Sequence, residues 1–340
     1  MADIRGVNLG GWFVLERWMK PSLFEGVEGP DETIFCEQAE NPKEKLEEHW
    51  KTFITEEDFK YIRDLGLNSV RIPIPWWAFR DVKPYYQHSI PYIKQALEWA
   101  DKYGLKVLID LHTAPGCQNG FDNGGITGVI DWPKSQENID LTVEVLRDIA
   151  EQFKDAPALW GIEVLNEPHF TIDLDLIQTF YKRAYETIRS VLPNVAIVFH
   201  DAFRPADPSW KEFFTNNDFE NVAFDLHLYQ CFEEKFQLYS ISQHIQEALQ
   251  RGDELITELS QFVRVITGEW SLGLSPKVFE EHDEFNKRLG LHLYALAQLH
   301  AYEKGYGWYF WSYRLVIDQP SGWHFRELVE TGIMPNRYDR

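Results

Sequence analysis

Two glutamates stand out as a possible catalytic pair. Glu167 follows the apolar run Trp160–Leu165, and Glu269 follows the run Arg264–Thr267. Two carboxyl groups can cleave a glycosidic bond when one stays protonated as general acid and the other stays ionised as nucleophile. We predict Glu167 as general acid/base and Glu269 as nucleophile, with their carboxyl groups about 5–5.5 Å apart, the spacing for retention.

Further polar and aromatic residues stand at the ends of other apolar runs. They are Glu16, Arg71, His112, Asn166, His200, Asp201, His227, Tyr229, Trp270 and Trp311. Charge and hydrogen bonds from Arg71, His227 and Tyr229 would keep Glu269 ionised. Asn166 would hold a sugar 2-hydroxyl. Taken singly, Glu167, Glu269 and His112 have an equally common structural role, as a buried ion pair or a hydrogen-bonded core histidine. For His200 and Trp311 taken singly, the structural role is favoured. Their joint placement favours a site.

Eight short apolar runs alternate with amphipathic helical patterns along the chain. The runs are Ile4–Leu9, Ser69–Ile74, Lys106–Leu111, Trp160–Leu165, Asn194–Phe199, Asn221–Leu226, Arg264–Thr267 and Gly307–Phe310. Their near-continuous apolar character is typical of parallel strands that are covered on both faces. The alternation predicts an α/β protein with one (β/α)₈ TIM barrel domain over residues 1–340, whose strand ends converge on one face.

Two other features of the pattern give specific expectations. The stripe Phe285, Leu289, Leu293 and Leu296 predicts a last long amphipathic helix. The alternative fold, an open doubly wound sheet, usually has a glycine-rich phosphate turn after its first strand. Here Asn8-Leu9-Gly10-Gly11-Trp12 lacks the spacing of that turn.

Composition restricts the partners. Asp and Glu number 54 against 33 Lys and Arg, and the resulting net charge of −21 disfavours nucleic acid and anionic membranes but not a neutral substrate. No apolar run reaches the roughly 18 residues of a membrane span. Residues 1–7 lack an apolar signal region, which leaves open a cytoplasmic protein or one secreted after loss of a signal. No protein partner is implied.

Metal catalysis is the competing chemistry. His112, His200 and His227 stand at strand ends and could bind a metal in a barrel hydrolase. Such sites usually include two histidines separated by one residue early in the chain, and no such pair occurs here. The cysteines Cys36, Cys117 and Cys231 fit neither a disulfide framework nor a zinc motif. We predict no metal and no other cofactor.

Several segments, taken in order, resemble glycoside hydrolase family 5, and within it the fungal exo-β-1,3-glucanases. They are IRGVNLGGWFVLERWMKPSLFE, DLHTAPGCQNGFDNGG, LNEP, HLYQCF, GEWS and FWSYR, and the resemblance covers nearly the whole chain. It implies Glu167 as acid/base and Glu269 as nucleophile. Around the first sugar it implies Arg71, His112, Asn166, His227, Tyr229 and Trp311.

The resemblance also implies residues beyond the catalytic pair. Glu16 matches a glutamate that binds hydroxyls of the terminal glucose, which would close the pocket and favour exo action. Asn123 matches another sugar contact. Phe121 and Phe232 match an aromatic pair at the pocket mouth that would clamp the next sugar by stacking.

The chain departs from the fungal pattern in two loops. After Ser271, LGLSPKVFEEHDEF replaces a long cysteine-bearing loop that helps to form the acceptor side, and LVIDQPSGWHF also differs. The expected activity is release of glucose from the non-reducing end of β-1,3-glucan or related β-glucosides. Alternatives are a broad β-glucosidase, a rutinoside or glycolipid hydrolase, a β-1,6- or β-1,4-active endo-glucanase, and a non-catalytic sugar-binding barrel. The last would be expected to lack one of the two glutamates.

Overall fold

A closed barrel of eight parallel strands forms the centre of the computed structural model, which describes residues 2–339. The strands are β1 (Ile4–Asn8), β2 (Ser69–Ile74), β3 (Lys106–Leu111), β4 (Leu159–Glu163), β5 (Ala196–His200), β6 (Val222–His227), β7 (Arg264–Trp270) and β8 (Gly307–Phe310). Each pairs with the next, and β8 closes on β1 with Gly307 opposite Ile4. The predicted (β/α)₈ fold is confirmed. The predicted domain, 1–340, includes two terminal residues outside the described range.

Helices connect the strands. They are α1 (Glu32–Gln38), α2 (Pro42–Thr52), α3 (Glu56–Asp64), α4 (Ile90–Tyr103), α5 (Gln136–Phe153), α6 (Leu174–Val191), α7 (Ser209–Thr215), α8 (Ile241–Gln250), α9 (Thr257–Leu259), α10 (Glu284–Tyr302) and α11 (Phe325–Glu330). Side chains fix several ends: Asp283 accepts a hydrogen bond from Asn286 N at the start of α10, and Gly104 ends α4 with φ 68°. Both are ordinary caps for unpaired helix-end groups.

The last long helix, α10, forms as predicted, but its apolar stripe faces solvent instead of the core. Phe285 and Leu293 on α10 are 72% and 46% exposed, and Leu289 and Leu296 are exposed as well. The buried face instead carries small residues and tyrosines. Gly290 allows close approach to α8, because a Cβ there would lie 3.2 Å from Ile241. Packing distance, rather than apolar character, decides which face is buried. No helix within residues 2–339 is long and apolar enough to cross a membrane.

The barrel interior is layered. An apolar layer fills it, made of Ile4, Leu108, Val198, Ala223, Ile266 and Tyr309. Strand side chains alternate between faces, so residues two positions further on point inward again. On β3, β5 and β6 these are Asp110, His200 and Asp225, all fully buried. A polar layer therefore lies between the apolar layer and the open carboxyl end of the barrel.

Candidate active site

Glu167 and Glu269 lie together at the carboxyl end of the barrel. Their exposed fractions are 5% and 3%. One nitrogen atom, Nδ1 of His227, lies 2.7 Å from Glu167 Oε1 and 3.4 Å from Glu269 Oε2. These distances keep the two oxygens within about 6 Å of each other, which is compatible with the roughly 5–5.5 Å carboxyl spacing of retaining hydrolases.

A β-bulge turns Glu269 into the barrel. The pairing of β7 shifts register between Thr267 and Trp270. At the bulge, Gly268 N donates a hydrogen bond of 2.6 Å to Asp225 Oδ1. A Cβ on Gly268 would lie 1.9 Å from the other oxygen of that carboxylate, so only glycine fits. Bulges of this kind redirect side chains next to active sites.

Glu167 lies four residues beyond the end of β4 in a left-handed conformation, with φ 46°. Such a backbone is unusual for a residue with a side chain, and it is maintained by surrounding contacts. Glu167 accepts hydrogen bonds from His227 Nδ1 at 2.7 Å and from Asn123 Nδ2 at 2.9 Å. Burial acts to raise the pKa of Glu167, but the bond and charge of His227 bring it below its usual value.

His227 lies between the two glutamates. Burial alone would lower its pKa, but the charges of Glu269 and Asp225 raise it well above the usual imidazole value. Its Nε2 lies 3.5 Å from Asp225 Oδ2. The opposite pKa shifts of His227 and Glu167 favour an imidazolium–carboxylate pair in the substrate-free protein.

Glu269 has its own pair of donors. Arg71 donates from a guanidinium nitrogen to Oε1 at 3.0 Å, and the Tyr229 hydroxyl donates to Oε2 at 2.7 Å. Burial and the neighbouring Glu167 charge raise the pKa of Glu269, whereas His227 and Arg71 lower it, and the net direction is upward. Arg71, His227 and Tyr229 all lie within 3.4 Å of Glu269, and their effect on its ionisation stays a prediction.

Arg71 is held in turn by carboxylates that the sequence analysis did not single out. Its guanidinium lies 2.7 Å from Glu163 Oε2 and 3.1 Å from Asp110 Oδ2, and all three side chains are fully buried. A buried cation needs such compensation, because its desolvation costs several kcal/mol. A charged residue within an otherwise apolar strand, as in VLIDL and GIEVL, is the sequence signal that would have identified them.

Three predicted sugar contacts line the buried part of the pocket. The ring of Trp311 stacks on His112, with centroids 5.6 Å apart and planes 4° apart. Asn166 accepts a hydrogen bond from Arg71 through Oδ1. Among the described residues, neither Asn166 Nδ2 nor His112 Nε2 has a hydrogen-bond partner although both are buried. Such orphaned donors and acceptors in a pocket are suited to a ligand.

Glu16 also turns inward. Its side chain is 6% exposed, and Oε2 accepts a hydrogen bond of 2.9 Å from Trp18 Nε1. The basic neighbours in sequence do not neutralise it, because Arg17 donates to backbone carbonyls of residues 27 and 29 and Lys20 lies 3.2 Å from His49. Burial raises the pKa of Glu16 well above its usual value, and the charges of Asp122, Glu269 and Glu167 add to this.

The two predicted mouth residues, Phe121 and Phe232, contact different aromatic residues. Phe121 contacts Phe203, with ring centroids 6.4 Å apart. Phe232 is 74% exposed and contacts Tyr229, with centroids 5.4 Å apart. Sequence analysis missed Phe203, which follows His200 in a left-handed turn with φ 57°. The His200 ring accepts a backbone hydrogen bond from residue 202, in line with the structural role favoured for it.

Two groups of side chains have metal-ligand geometry. They are Glu167, His200 and His227, and Glu163, Asp225 and His227. Within the described part of the chain, His112 belongs to neither group, so the three strand-end histidines do not form one site. The members already pair with each other: His227 binds Glu167 and lies next to Asp225. The prediction that no metal takes part stays a prediction.

Comparisons with known proteins agree with this geometry. The family model described as Cellulase (glycosyl hydrolase family 5) matches residues 36–314. Glucan 1,3-beta-glucosidase from Schwanniomyces occidentalis is 35% identical over 98% of this chain and 88% of that protein. Glucan 1,3-beta-glucosidase 1 from Schizosaccharomyces pombe is 34% identical, with the same coverage.

Solved structures share the fold. The rutinosidase from Aspergillus niger superposes with a TM-score of 0.84 over 97% of both chains, at 21% identity. The endoglucanase Cel5A from Thermotoga maritima superposes with a TM-score of 0.58 over 94% of this chain and 91% of that one, at 20% identity. At these identities the likeness concerns the barrel alone. The family model and the curated relatives show that this chain is a glycoside hydrolase and belongs to glycosyl hydrolase family 5.

Proposed function

We propose that this enzyme is a retaining β-glucosidase that releases glucose from the non-reducing end of β-1,3-glucan. The observation that carries the proposal is the shared contact of Glu167 and Glu269 with one nitrogen of His227, which keeps their carboxylates within reach of one anomeric carbon. Retention is general in the family. The names of the curated relatives, glucan 1,3-beta-glucosidases, support the substrate.

In the first step Glu269 would attack the anomeric carbon while Glu167 protonates the leaving oxygen. Arg71 and Tyr229 hold both oxygens of the nucleophile, so its orientation is set before the sugar arrives. The product of this step is a covalent glycosyl-enzyme. Water would then displace the glutamate, with Glu167 acting as general base.

Before the reaction, the catalytic proton would be bound to His227. Its hydrogen bond to Glu167 is 2.7 Å long, so the proton can shift to the carboxylate without rearrangement of either side chain. As Glu269 bonds to carbon it loses the negative charge that raises the pKa of His227, and the imidazolium becomes more acidic. The proton would pass through Glu167 to the leaving oxygen, and return from water in the second step.

The first sugar would lie against Trp311. The indole offers a flat surface for the apolar face of a pyranose ring. Asn166 Nδ2 and His112 Nε2, which have no partner among the described residues, would bind sugar hydroxyls. Asn123, which donates to Glu167, would contact the same sugar. Since no step requires electron transfer or a metal-bound water, no cofactor is proposed.

Exo action is proposed from Glu16. Its Oε1 is buried and has no hydrogen-bond partner within residues 2–339. A terminal glucose could bind it through free hydroxyls, whereas a longer chain at that point would displace these bonds and leave a buried polar atom unsatisfied, at about 1–3 kcal/mol. Phe121 and Phe232, which follow β3 and β6, would hold the next sugar by stacking.

Product analysis tests the proposal. The purified enzyme should release β-glucose from laminarin as its first product, without early loss of viscosity. An early ladder of oligosaccharides would show an endo-glucanase. Activity on gentiobiose, cellobiose and rutinosides equal to that on laminaribiose would show a broad β-glycosidase. Sugar binding without turnover of any of them would show a non-catalytic barrel and overturn the assignment.

A further inference from the structure

The loops after β7 and β8 meet at the pocket mouth, where Trp323 lies between them. Leu272 N donates to Gly322 O, and Ser312 N donates to Trp323 O, both at 2.8 Å. A Cβ on Gly273 would lie 2.3 Å from the indole nitrogen, and one on Gly322 would lie 2.5 Å from Leu272 O. The short β7 loop thus leaves room at its glycine for the indole of the β8 loop.

Trp323 joins aromatic residues from two other loops. Its ring centroid lies 5.7 Å from Trp18, 5.1 Å from Tyr229 and 6.1 Å from Phe232. Trp18 and Phe232 are exposed. Trp18, Phe232 and Trp323 form a continuous surface above Tyr229, which we name the aromatic wall.

The aromatic wall connects the two ends of the reaction site. Tyr229, at its base, donates to the nucleophile Glu269 at 2.7 Å. Trp18, at its far end, donates to Glu16 at 2.9 Å. From Tyr229, next to the nucleophile, the wall extends outward through Trp323 to Phe232, which is 74% exposed. A leaving group that departs from the anomeric carbon towards solvent would pass this outer part of the wall. The wall carries no charged side chain, and aromatic faces bind the C–H face of a sugar ring or another aromatic ring.

We propose that Trp323 determines leaving-group specificity, and that the aromatic wall selects β-glucosides whose leaving group presents a flat apolar face, either a second glucose ring or an aryl group. The inference rests on the proposed β-glucosidase function and adds the substrate class of its acceptor side. Trp323 does not touch the reacting atoms in this role. It would act on binding of the leaving group and not on the chemistry of Glu269.

Three substrates separate this role from a structural one. The leaving group of laminaribiose is glucose, and that of 4-nitrophenyl β-glucoside is an aryl group. The leaving group of β-glucosyl fluoride has no ring. Trp323→Ala should lower kcat/KM about tenfold on one or both of the first two, mainly through KM. It should leave the fluoride within about twofold. The substrate that loses more identifies which ring the wall binds.

Two further variants make the test decisive. Trp323→Phe keeps an aromatic face and should recover most of the loss, which also covers the case in which the alanine variant fails to fold. Phe285→Ala removes an exposed aromatic ring on α10, away from the wall, and should behave as wild type. An equal loss on all three substrates would show that Trp323 only supports Tyr229, and no loss on any would show that the wall is unused. Either result overturns the proposal.

The proposed function itself would fail in a different way. A wild-type enzyme that turns over none of the three substrates, fluoride included, is not a β-glucosidase. The wild-type enzyme could instead turn over the fluoride and the glucosides while Trp323→Ala affects all three substrates equally or none of them. That result would leave the proposed function intact and refute only the role of the aromatic wall.

Discussion

His227 binds Glu167 through a hydrogen bond of 2.7 Å between Nδ1 and Oε1. The carboxylate is the proposed proton donor, yet in the substrate-free protein it accepts. The pKa of His227 is raised well above its usual value, in spite of burial, by the charges of Glu269 and Asp225, whereas that of Glu167 is lowered. The histidine is therefore the group whose deprotonation should limit activity at alkaline pH.

The variant His227→Asn tests whether His227 holds the catalytic proton. An asparagine amide can still donate to Glu167 but cannot carry the catalytic proton. The raised pKa of His227 keeps the wild-type enzyme active as pH rises, and this activity is lost once pH passes that pKa. The alkaline limb of the kcat/KM profile should move to lower pH in the variant. If both profiles keep the same alkaline limb, the proton is stored elsewhere.

The catalytic pair should respond differently to substitution. Glu269→Gln removes the nucleophile and should lower kcat about 10⁴-fold or more, with an unchanged circular dichroism spectrum. Glu167→Ala removes only the acid and base, so glucosides with very good leaving groups should still form the glycosyl-enzyme, and azide should rescue its breakdown. Equal dependence on leaving-group pKa in both variants would contradict the assignment.

Glu16→Ala should weaken exo action. The variant loses the buried carboxyl group that would bind the terminal glucose, so kcat/KM on laminaribiose should fall by about tenfold or more. Glu25→Ala removes an exposed glutamate from the same segment and serves as the control. Chromatography of early laminarin products measures the mode of attack. Unchanged kinetics and products in Glu16→Ala would show that another group closes the pocket.

Glu32 should make stability depend on pH. Burial raises its pKa to about 8, although it accepts hydrogen bonds from Leu15 N and Trp77 Nε1. Between about pH 4.5 and 8 the folded chain keeps a proton that the unfolded chain releases, so this contribution to stability falls as pH rises. Calorimetry from pH 5 to 8 should show a smaller fall in Tm for Glu32→Gln than for wild type.

The control for this stability prediction is Glu28→Gln, which changes an exposed glutamate in the neighbouring loop. Its Tm should follow the wild-type curve across the same range. A Glu32→Gln curve parallel to wild type would mean that Glu32 is ionised in the folded protein at neutral pH.

Chelation tests the metal alternative. The side chains with metal-ligand geometry also surround the proposed catalytic pair, where His227 binds Glu167. The proposed mechanism uses these side chains without a metal ion. Activity on laminaribiose should survive prolonged treatment with EDTA or a stronger zinc chelator. Loss of activity that added zinc restores would return His200 and His227 to the role of ligands.

Strand positions and the chemistry of their ends follow from the sequence. β2, β3 and β8 have the predicted bounds because β-branched and apolar residues are continuous there and turn residues flank them. Since parallel strands in a barrel end on one face, Glu167 and Glu269 could be predicted as neighbours without coordinates.

Other features depend on contacts between distant segments. The four apolar residues along α10 face solvent because Gly290 packs against Ile241, which no local pattern encodes. The carboxylates around Arg71 come from separate strands, and Trp323 meets Tyr229 only because two loops fit together.

Local periodicity therefore determined which segments form strands and helices, and which residue types stand at the strand ends. Tertiary structure decided the partner of each buried charge and the ring that borders the leaving group. The physical reason is that the stability of a buried ion, or the fit of an indole against a glycine, depends on what lies within a few ångströms in space. Those neighbours, such as Asp110 and Glu163 around Arg71, are far apart in the chain.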